Sequence, residues 1–229
     1  MVGAYFLLKG GTLLQHRLNA TARATKDVDG LIRGDMDAFF EALEKVLDEQ
    51  WGPLTLRRDE VKPIDVPTKI TKPRRFDIII DLKGRPWRRI KFEISPDEGD
   101  IGAEQEAIEP PQLDALGLPT PDELVGITMR FQIAQKLHAV SDPHEPPTFK
   151  NDRARDLVDL ILLRDLITAT GTPTLTEVHE AGVLVFESRA AETKELGYPP
   201  EHGHRRSLPT VTGPVTIRGQ QHLGASISH

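Results

Sequence analysis

The hydrophobic pattern of the chain changes its period near residue 120, and this change limits the folds open to it. Before that point, short apolar or alternating runs are separated by turns rich in Gly and Pro, a pattern typical of β-strands. After it, apolar residues recur at helical spacing. We therefore predict an α/β protein of the α+β type, with a mixed or mostly antiparallel sheet and flanking helices, followed by a helical half.

The individual elements follow from the same pattern. Strands are predicted over residues 5–8, 27–32, 54–58, 75–82 and 87–95, and the turn Lys83-Gly84-Arg85-Pro86 makes the last two a β-hairpin. Helices are predicted over residues 12–19, 35–50, 124–140, 152–168 and 174–191, with a loop from 96 to 122. Three parts result: residues 1–120, a helical part over 121–195, and a weakly ordered basic tail over 196–229.

Composition excludes several classes of protein. The chain contains no cysteine, which excludes a disulfide scaffold, a thiol nucleophile and any cysteine-based metal site. No run approaches the roughly 18 apolar residues that a membrane helix requires, and the apolar start lacks the basic segment of a signal peptide. We therefore expect a cytoplasmic protein without a membrane partner.

Charge is strongly segregated along the chain. The net charge is −6, but residues 69–91 contain nine basic residues against two acids, and residues 93–123 contain ten acids and no Lys or Arg. The basic segment would attract a polyanion despite the overall sign. The alternative is that the two segments are solvated surfaces that offset each other.

The most informative motif is a Gly-Gly turn, Lys9-Gly10-Gly11-Thr12, followed by Asp27-Val28-Asp29 in a predicted strand. Glycines at a helix start let phosphate oxygens approach backbone N–H groups, and Thr12 adds a hydroxyl. Asp27 and Asp29 lie two apart in a strand, so their carboxylates share one face and repel each other unless a cation lies between them. Hard oxygen ligands near a phosphate suit Mg²⁺ (or Mn²⁺).

A third carboxylate completes the predicted metal site if its strand lies beside residues 27–32. Glu93, in Lys91-Phe92-Glu93-Ile94-Ser95, is our candidate, and a shifted hairpin register would put Asp77 or Asp81 in its place. Three carboxylates on one or two metal ions suit in-line attack on a phosphorus.

Four segments in the same order resemble the AbiEii abortive-infection toxin family, which lies within the polymerase-β-like nucleotidyltransferases and includes the MenT-type toxins. They are Lys9–Thr12, Arg23-Ala24-Thr25-Lys26-Asp27-Val28-Asp29, Gln135-Lys136-Leu137-His138-Ala139, and the run from Asn151 to Leu160, in which Arg155 stands where the family usually has Lys. The resemblance implies transfer of a nucleotide from an NTP, in several members to the 3′ end of tRNA. That transfer blocks translation, and a cognate antitoxin restrains the toxin.

The resemblance also implies roles for individual residues and for the parts of the chain. Residues 1–120 would be the nucleotidyltransferase catalytic core, and residues 121–195 would complete the nucleotide cleft. The candidates are, as catalytic residues, Asp27, Asp29, Glu93, Lys136 and Asp156; as metal ligands, Asp27, Asp29 and Glu93; and as nucleotide-binding residues, Lys9, Gly10, Gly11, Thr12, Lys136 and Arg153.

Alternatives remain open for the residues of the helical half and for the acceptor. Lys136 either reaches the triphosphate or is a surface lysine that extends along the apolar face of its helix. Asp156 is either catalytic or part of a structural salt-bridge network. For an RNA acceptor, we predict contacts with Arg88, Arg89 and Lys91. The same fold also modifies small molecules or protein hydroxyls, and a catalytically silent RNA- or protein-binding module is a third possibility.

Overall fold

The structure is a computed structural model that describes residues 5–18, 25–141 and 151–198. The tail predicted over residues 196–229 lies outside these ranges apart from its first three residues. Within the described part, strands and helices alternate up to Arg58, strands dominate from there to Gly126, and helices follow.

The described strands form one mixed sheet, which confirms the predicted fold class. They are β1 (Phe6–Lys9), β2 (Asp27–Ile32), β3 (Leu54–Arg58), β4 (Lys62–Pro63), β5 (Arg74–Leu82), β6 (Arg85–Pro96), β7 (Glu106–Ile108) and β8 (Leu124–Gly126). Their order is β3-β5-β6-β2-β1-β8-β7, and β4 also pairs with β5. The pairs β2–β6 and β1–β8 are parallel, and the others are antiparallel. The long hairpin of β5 and β6 was predicted from the sequence.

The described helices are α1 (Gly10–Leu18), α2 (Met36–Leu47), α3 (Met129–Val140), α4 (Ala154–Thr170) and α5 (Leu175–Glu195). The predicted cap of α2 is present, because the Asp35 side chain accepts a hydrogen bond of 2.7 Å from the Ala38 amide. Thr174 and Glu177 form a capping box at the start of α5. None of the helices in the described ranges is long and apolar enough to cross a lipid bilayer.

Helices cover both faces of the sheet. Leu31 and Ile32 are consecutive in β2, so they point to opposite faces, and they belong to two different apolar clusters. The Leu31 cluster includes Phe131 of α3 and Val185 of α5, whereas the Ile32 cluster includes Phe39 of α2. The sheet is therefore the middle layer, with α2 on one side and α3 and α5 on the other.

One predicted helix was wrong in its first part. Residues 124–126 form strand β8, which pairs with β7 and lies beside Leu8 of β1, and α3 begins only at Met129. The loop predicted over residues 96–122 contains β7. Apolar spacing alone cannot separate a three-residue strand from the first turn of a helix, and pairing with distant strands decides it. Since the sheet extends beyond residue 120, the division of the chain at that point stays a prediction.

Candidate active site

Charged side chains form a row across four neighbouring strands. Asp29 of β2 lies opposite Lys9 of β1 and opposite Glu93 of β6, and Glu93 lies opposite Arg75 of β5. Residues directly opposite each other project from the same face of a sheet. Asp27 is two residues from Asp29 and shares that face. The strand register therefore brings the three predicted metal ligands onto one surface.

The outer two carboxylates are turned towards neighbouring cations. Arg75 donates from Nε to Glu93 Oε1 at 2.8 Å, and Lys91 Nζ lies 3.4 Å from Asp27 Oδ1. Within the described ranges, no group of three or more His, Asp or Glu side chains is arranged to hold a metal ion. The backbone thus places the carboxylates together, while their side-chain conformations separate them.

Asp29 is held by the Gly-Gly turn at the start of α1. The Gly11 amide beside its carboxylate acts to lower the pKa of Asp29. Gly10 has φ +60°, and a Cβ at that position would lie 2.1 Å from Asp29 Oδ2, so only glycine fits. That this turn binds phosphate stays a prediction, and in the structure the turn lies against Asp29.

The pKa values of Asp29 and Lys9 are shifted in opposite directions by the same burial. Burial raises the pKa of the Asp29 carboxyl, Glu93 and Asp27 raise it further, and Lys9 opposes the rise. Burial lowers the pKa of the Lys9 amine, against the effect of Glu98 and Asp29. Lys9 Nζ donates to Ser95 Oγ at 2.5 Å. Lys9, predicted to bind the nucleotide, therefore lies beside the carboxylates as an internal cation.

Two further side chains fix the turn to its surroundings. Thr12, another predicted nucleotide ligand, donates from Oγ1 to the Asp27 carbonyl at 2.9 Å and so ties α1 to β2. Gln132 of α3 is buried, donates from Nε2 to the Gly10 carbonyl at 2.9 Å and accepts from Arg17 Nε at 2.9 Å. We did not predict Gln132 from the sequence. The sequence feature that could have revealed it is a polar residue within an apolar run, Phe131-Gln132-Ile133-Ala134, since a buried amide requires hydrogen-bond partners.

Lys136 is buried rather than extended along a surface. Its Nζ donates to Asp156 Oδ1 at 2.8 Å and to Asp159 Oδ2 at 2.7 Å, and Asp159 is fully buried. Arg153 lies 3.6 Å from the other oxygen of Asp156. The surface interpretation of Lys136 is therefore wrong, and this ion-pair network joins α3 to α4.

A cavity of about 500 Å³ opens between the Gly-Gly turn and the helices α3 and α4. Its walls include Lys9, Gly10, Gly11 and Asp29 on the sheet side, and Gln132, Gln135, Lys136, Arg153, Arg155 and Asp156 on the helical side. Its volume is within the range for small-molecule sites. Arg153 and Arg155 are exposed at this cavity, and Arg155 was not among our predicted nucleotide ligands.

The predicted RNA-binding residues differ in whether a carboxylate already pairs with them. Arg89 donates to Asp59 and to Asp77, both at 2.8 Å, and Lys91 lies next to Asp27. Arg88 has no carboxylate within ion-pair distance in the part of the chain that the structure describes. The fold thus brings acidic side chains next to some of the basic residues of the segment 69–91, which lowers the positive charge available to an RNA.

Comparison with known proteins agrees with this geometry. The sequence matches the family model described as "Nucleotidyl transferase AbiEii toxin, Type IV TA system" over residues 2–216. The chain belongs to the AbiEii family of nucleotidyltransferase toxins. This confirms the family predicted from its motifs, whereas no curated protein matches the sequence.

The chain is similar to several solved structures at low sequence identity. MenT4, a nucleotidyltransferase toxin from Mycobacterium tuberculosis H37Rv, is similar with a TM-score of 0.50 and 20% identity over 78% of this chain. The chain spans 55% of the length of MenT4. JHP933 from Helicobacter pylori has a TM-score of 0.41 and 17% identity, covering 84% of this chain and 85% of its own. An antigenic nucleotidyltransferase-like protein from Paracoccidioides brasiliensis has a TM-score of 0.41 and 14% identity, covering 84% of each chain.

Proposed function

We propose that this AbiEii-family chain transfers a nucleoside monophosphate from an NTP to an RNA acceptor, the 3′ end of tRNA, and acts as a toxin that blocks translation. The observation that supports this is the carboxylate row of Asp29 and Glu93 beside a cavity of about 500 Å³. Such a cavity is large enough for a nucleotide. The proposed core is residues 1–120, and the proposed helical part, residues 121–195, supplies the opposite wall.

The residues of the row fit a hard divalent cation such as Mg²⁺ or Mn²⁺. Their oxygens are the ligands that such ions prefer. Burial, together with Glu93 and Asp27, raises the pKa of the Asp29 carboxyl, an effect that a bound cation would oppose. Asp27, Asp29 and Glu93 would hold the ion once Asp27 and Glu93 turn away from Lys91 and Arg75. When bound, it would stabilise negative charge on the reacting phosphate and activate the attacking hydroxyl.

The cations of the helical side are placed to receive the triphosphate. Arg155 has no carboxylate within ion-pair distance among the described residues. Arg153 has one, but its ion pair with Asp156 is long, at 3.6 Å. Lys136 already has two carboxylate partners, so a phosphate would have to displace Asp156 to bind it directly. We therefore assign Arg153 and Arg155 to phosphate binding. Lys136 would keep its ion pair with Asp159 and contact the nucleotide only if Asp156 moves away.

The reaction needs no covalent intermediate on the protein. An acceptor hydroxyl oxygen attacks the α-phosphorus, the bond to the β-phosphate oxygen breaks, and pyrophosphate leaves. The hydroxyl proton passes to the carboxylate row. A cognate antitoxin would restrain the toxin, and NTP and tRNA would be met in the cytoplasm.

Incubation of the full chain with each α-labelled NTP, total tRNA and Mg²⁺ tests this proposal. We expect one or more NTPs to label RNA and Asp29→Ala to abolish labelling. Expression of the wild type, but not of Asp29→Ala, should arrest bacterial growth. Label found only on a protein or on a small molecule would overturn the choice of acceptor, and no transfer from any NTP would overturn the activity.

A further inference from the structure

Strand β6 extends beyond its neighbour β2 at one end, whereas β5 stays paired with β3 as far as Leu82. β2 pairs with β6 only at residues 91–96, so residues 85–90 of β6 are paired with β5 alone. Residues 83–89 at this end are all exposed, four of them are Lys or Arg, and none is acidic. We name residues 83–90 the hairpin arm.

Trp87 is the unusual residue of the hairpin arm. The register shifts between Ile80 and Asp81, so that Arg88 faces Ile80 and Pro86 faces Asp81, while Trp87 has no partner on β5. This is a β-bulge, a device that changes the direction of a side chain. Trp87 is 55% exposed, although an indole is among the side chains that gain most from burial. Cations alone would protect a free strand edge, so edge protection does not account for the tryptophan.

Most of the cations near Trp87 have no acidic partner among the described residues. Lys83, Arg85 and Arg88 have no carboxylate within ion-pair distance in the described ranges. In contrast, Arg75 and Lys91 each have one such partner and Arg89 has two. The Arg88 guanidinium lies 6.0 Å from the centre of the Trp87 ring. An exposed aromatic face among unpaired cations has the composition of a single-stranded nucleic acid site, where bases stack and phosphates contact Arg and Lys.

We propose that the hairpin arm binds an unpaired stretch of the RNA acceptor, with Trp87 stacking on a base and Arg88 on an adjacent phosphate. This inference rests on the proposed RNA acceptor and adds a second contact point to it. Trp87 lies six positions before Glu93 on β6, which is about 20 Å along the strand. At about 3.4 Å per stacked nucleotide, the stacked base lies about six nucleotides before the reacting 3′ end. A stacked trinucleotide spans only about 10 Å, which is too short to reach Trp87 from the reacting end.

The test compares long and short acceptors with the full-length protein. Trp87→Ala should lower kcat/KM about tenfold for a 12-nucleotide single-stranded RNA, Trp87→Phe should retain most activity, and both should match the wild type on a trinucleotide acceptor. Leu116→Ala is the matched control, because Leu116 is an apolar residue with 71% exposure outside the sheet. Arg88→Ala should reduce the slope of log affinity against log salt by about one, whereas Trp87→Ala should leave it unchanged.

Quenching of Trp87 fluorescence by the 12-mer tests binding without catalysis, with Trp87→Phe reporting the background from Trp51. If the wild type labels no RNA but the 12-mer quenches Trp87, the proposed function fails and the binding site stands. If RNA is labelled and Trp87→Ala behaves as the wild type on the 12-mer, the hairpin-arm inference fails while the proposed function stands. Equal losses on the 12-mer and the trinucleotide would mean a structural role and would also overturn it.

Discussion

Replacing Lys136 by Met would leave Asp159 as a buried carboxylate without its main cation. The Lys136 side chain is 8% exposed, that of Asp159 is 0% exposed, and 2.7 Å separates Nζ from Oδ2. Removal of one partner from a buried ion pair costs about 3–5 kcal/mol, a large share of the roughly 5–15 kcal/mol that stabilises a domain. Methionine retains the length of the aliphatic stem, so most of this loss would come from the charge. We expect Lys136→Met to lower the free energy of unfolding by about that amount.

Urea unfolding followed by far-UV circular dichroism measures this loss, and a double variant separates charge from packing. In Lys136→Met/Asp159→Leu both charges are replaced by apolar groups, so most of the stability should return. The control is Arg164→Met, which breaks the exposed pair with Asp165 and should cost less than about 1 kcal/mol.

Two outcomes would refute this reasoning. One is a Lys136→Met variant within about 1 kcal/mol of the wild type, since that lies below the cost of removing one partner from a buried ion pair. The other is a double variant no more stable than Lys136→Met. Transfer activity of the double variant answers a separate question: if it is folded but inactive, Lys136 or its network also serves the nucleotide.

Three further perturbations test the sheet side of the site. Gly10→Ala should lower transfer about 100-fold, because the added Cβ would displace Asp29. Gly34→Ala is the control, since Gly34 also has a positive φ (+74°) but no neighbour within 4 Å, so unchanged activity there isolates the contact with Asp29. Asp29→Asn should abolish transfer yet be more stable than the wild type at neutral pH in EDTA. The raised pKa means that the wild-type fold loses stability as Asp29 ionises with rising pH. Thermal unfolding from pH 4 to 8 should therefore show Asp29→Asn more stable than the wild type at pH 8 and about equally stable near pH 4. Burial by itself would raise the pKa of Glu98, but Lys69 and Arg189 outweigh it and hold that pKa below its ordinary value. The stability from Glu98 is therefore lost as pH falls, and a Glu98→Gln variant whose acid unfolding is as steep as that of the wild type would contradict this.

The sequence by itself determined the type and order of most elements, because hydrophobic period and turn residues are local properties. Strands β2 and β3 lie where they were predicted, and the Asp35 cap begins α2. That Asp27 and Asp29 share one face follows from the two-residue period of a strand alone. The AbiEii family was equally readable from the sequence, since its motifs keep their residue types and order.

Only the tertiary structure decided which distant residues meet. The register that sets Asp29 opposite Glu93, the pairing that makes residues 124–126 a strand, and the burial of Lys136 against Asp159 all join segments far apart in the chain. Such contacts depend on how sheet and helices pack, and packing overrides local preference when the two disagree. The bulge that leaves Trp87 unpaired has the same origin, because it exists only in the register between β5 and β6.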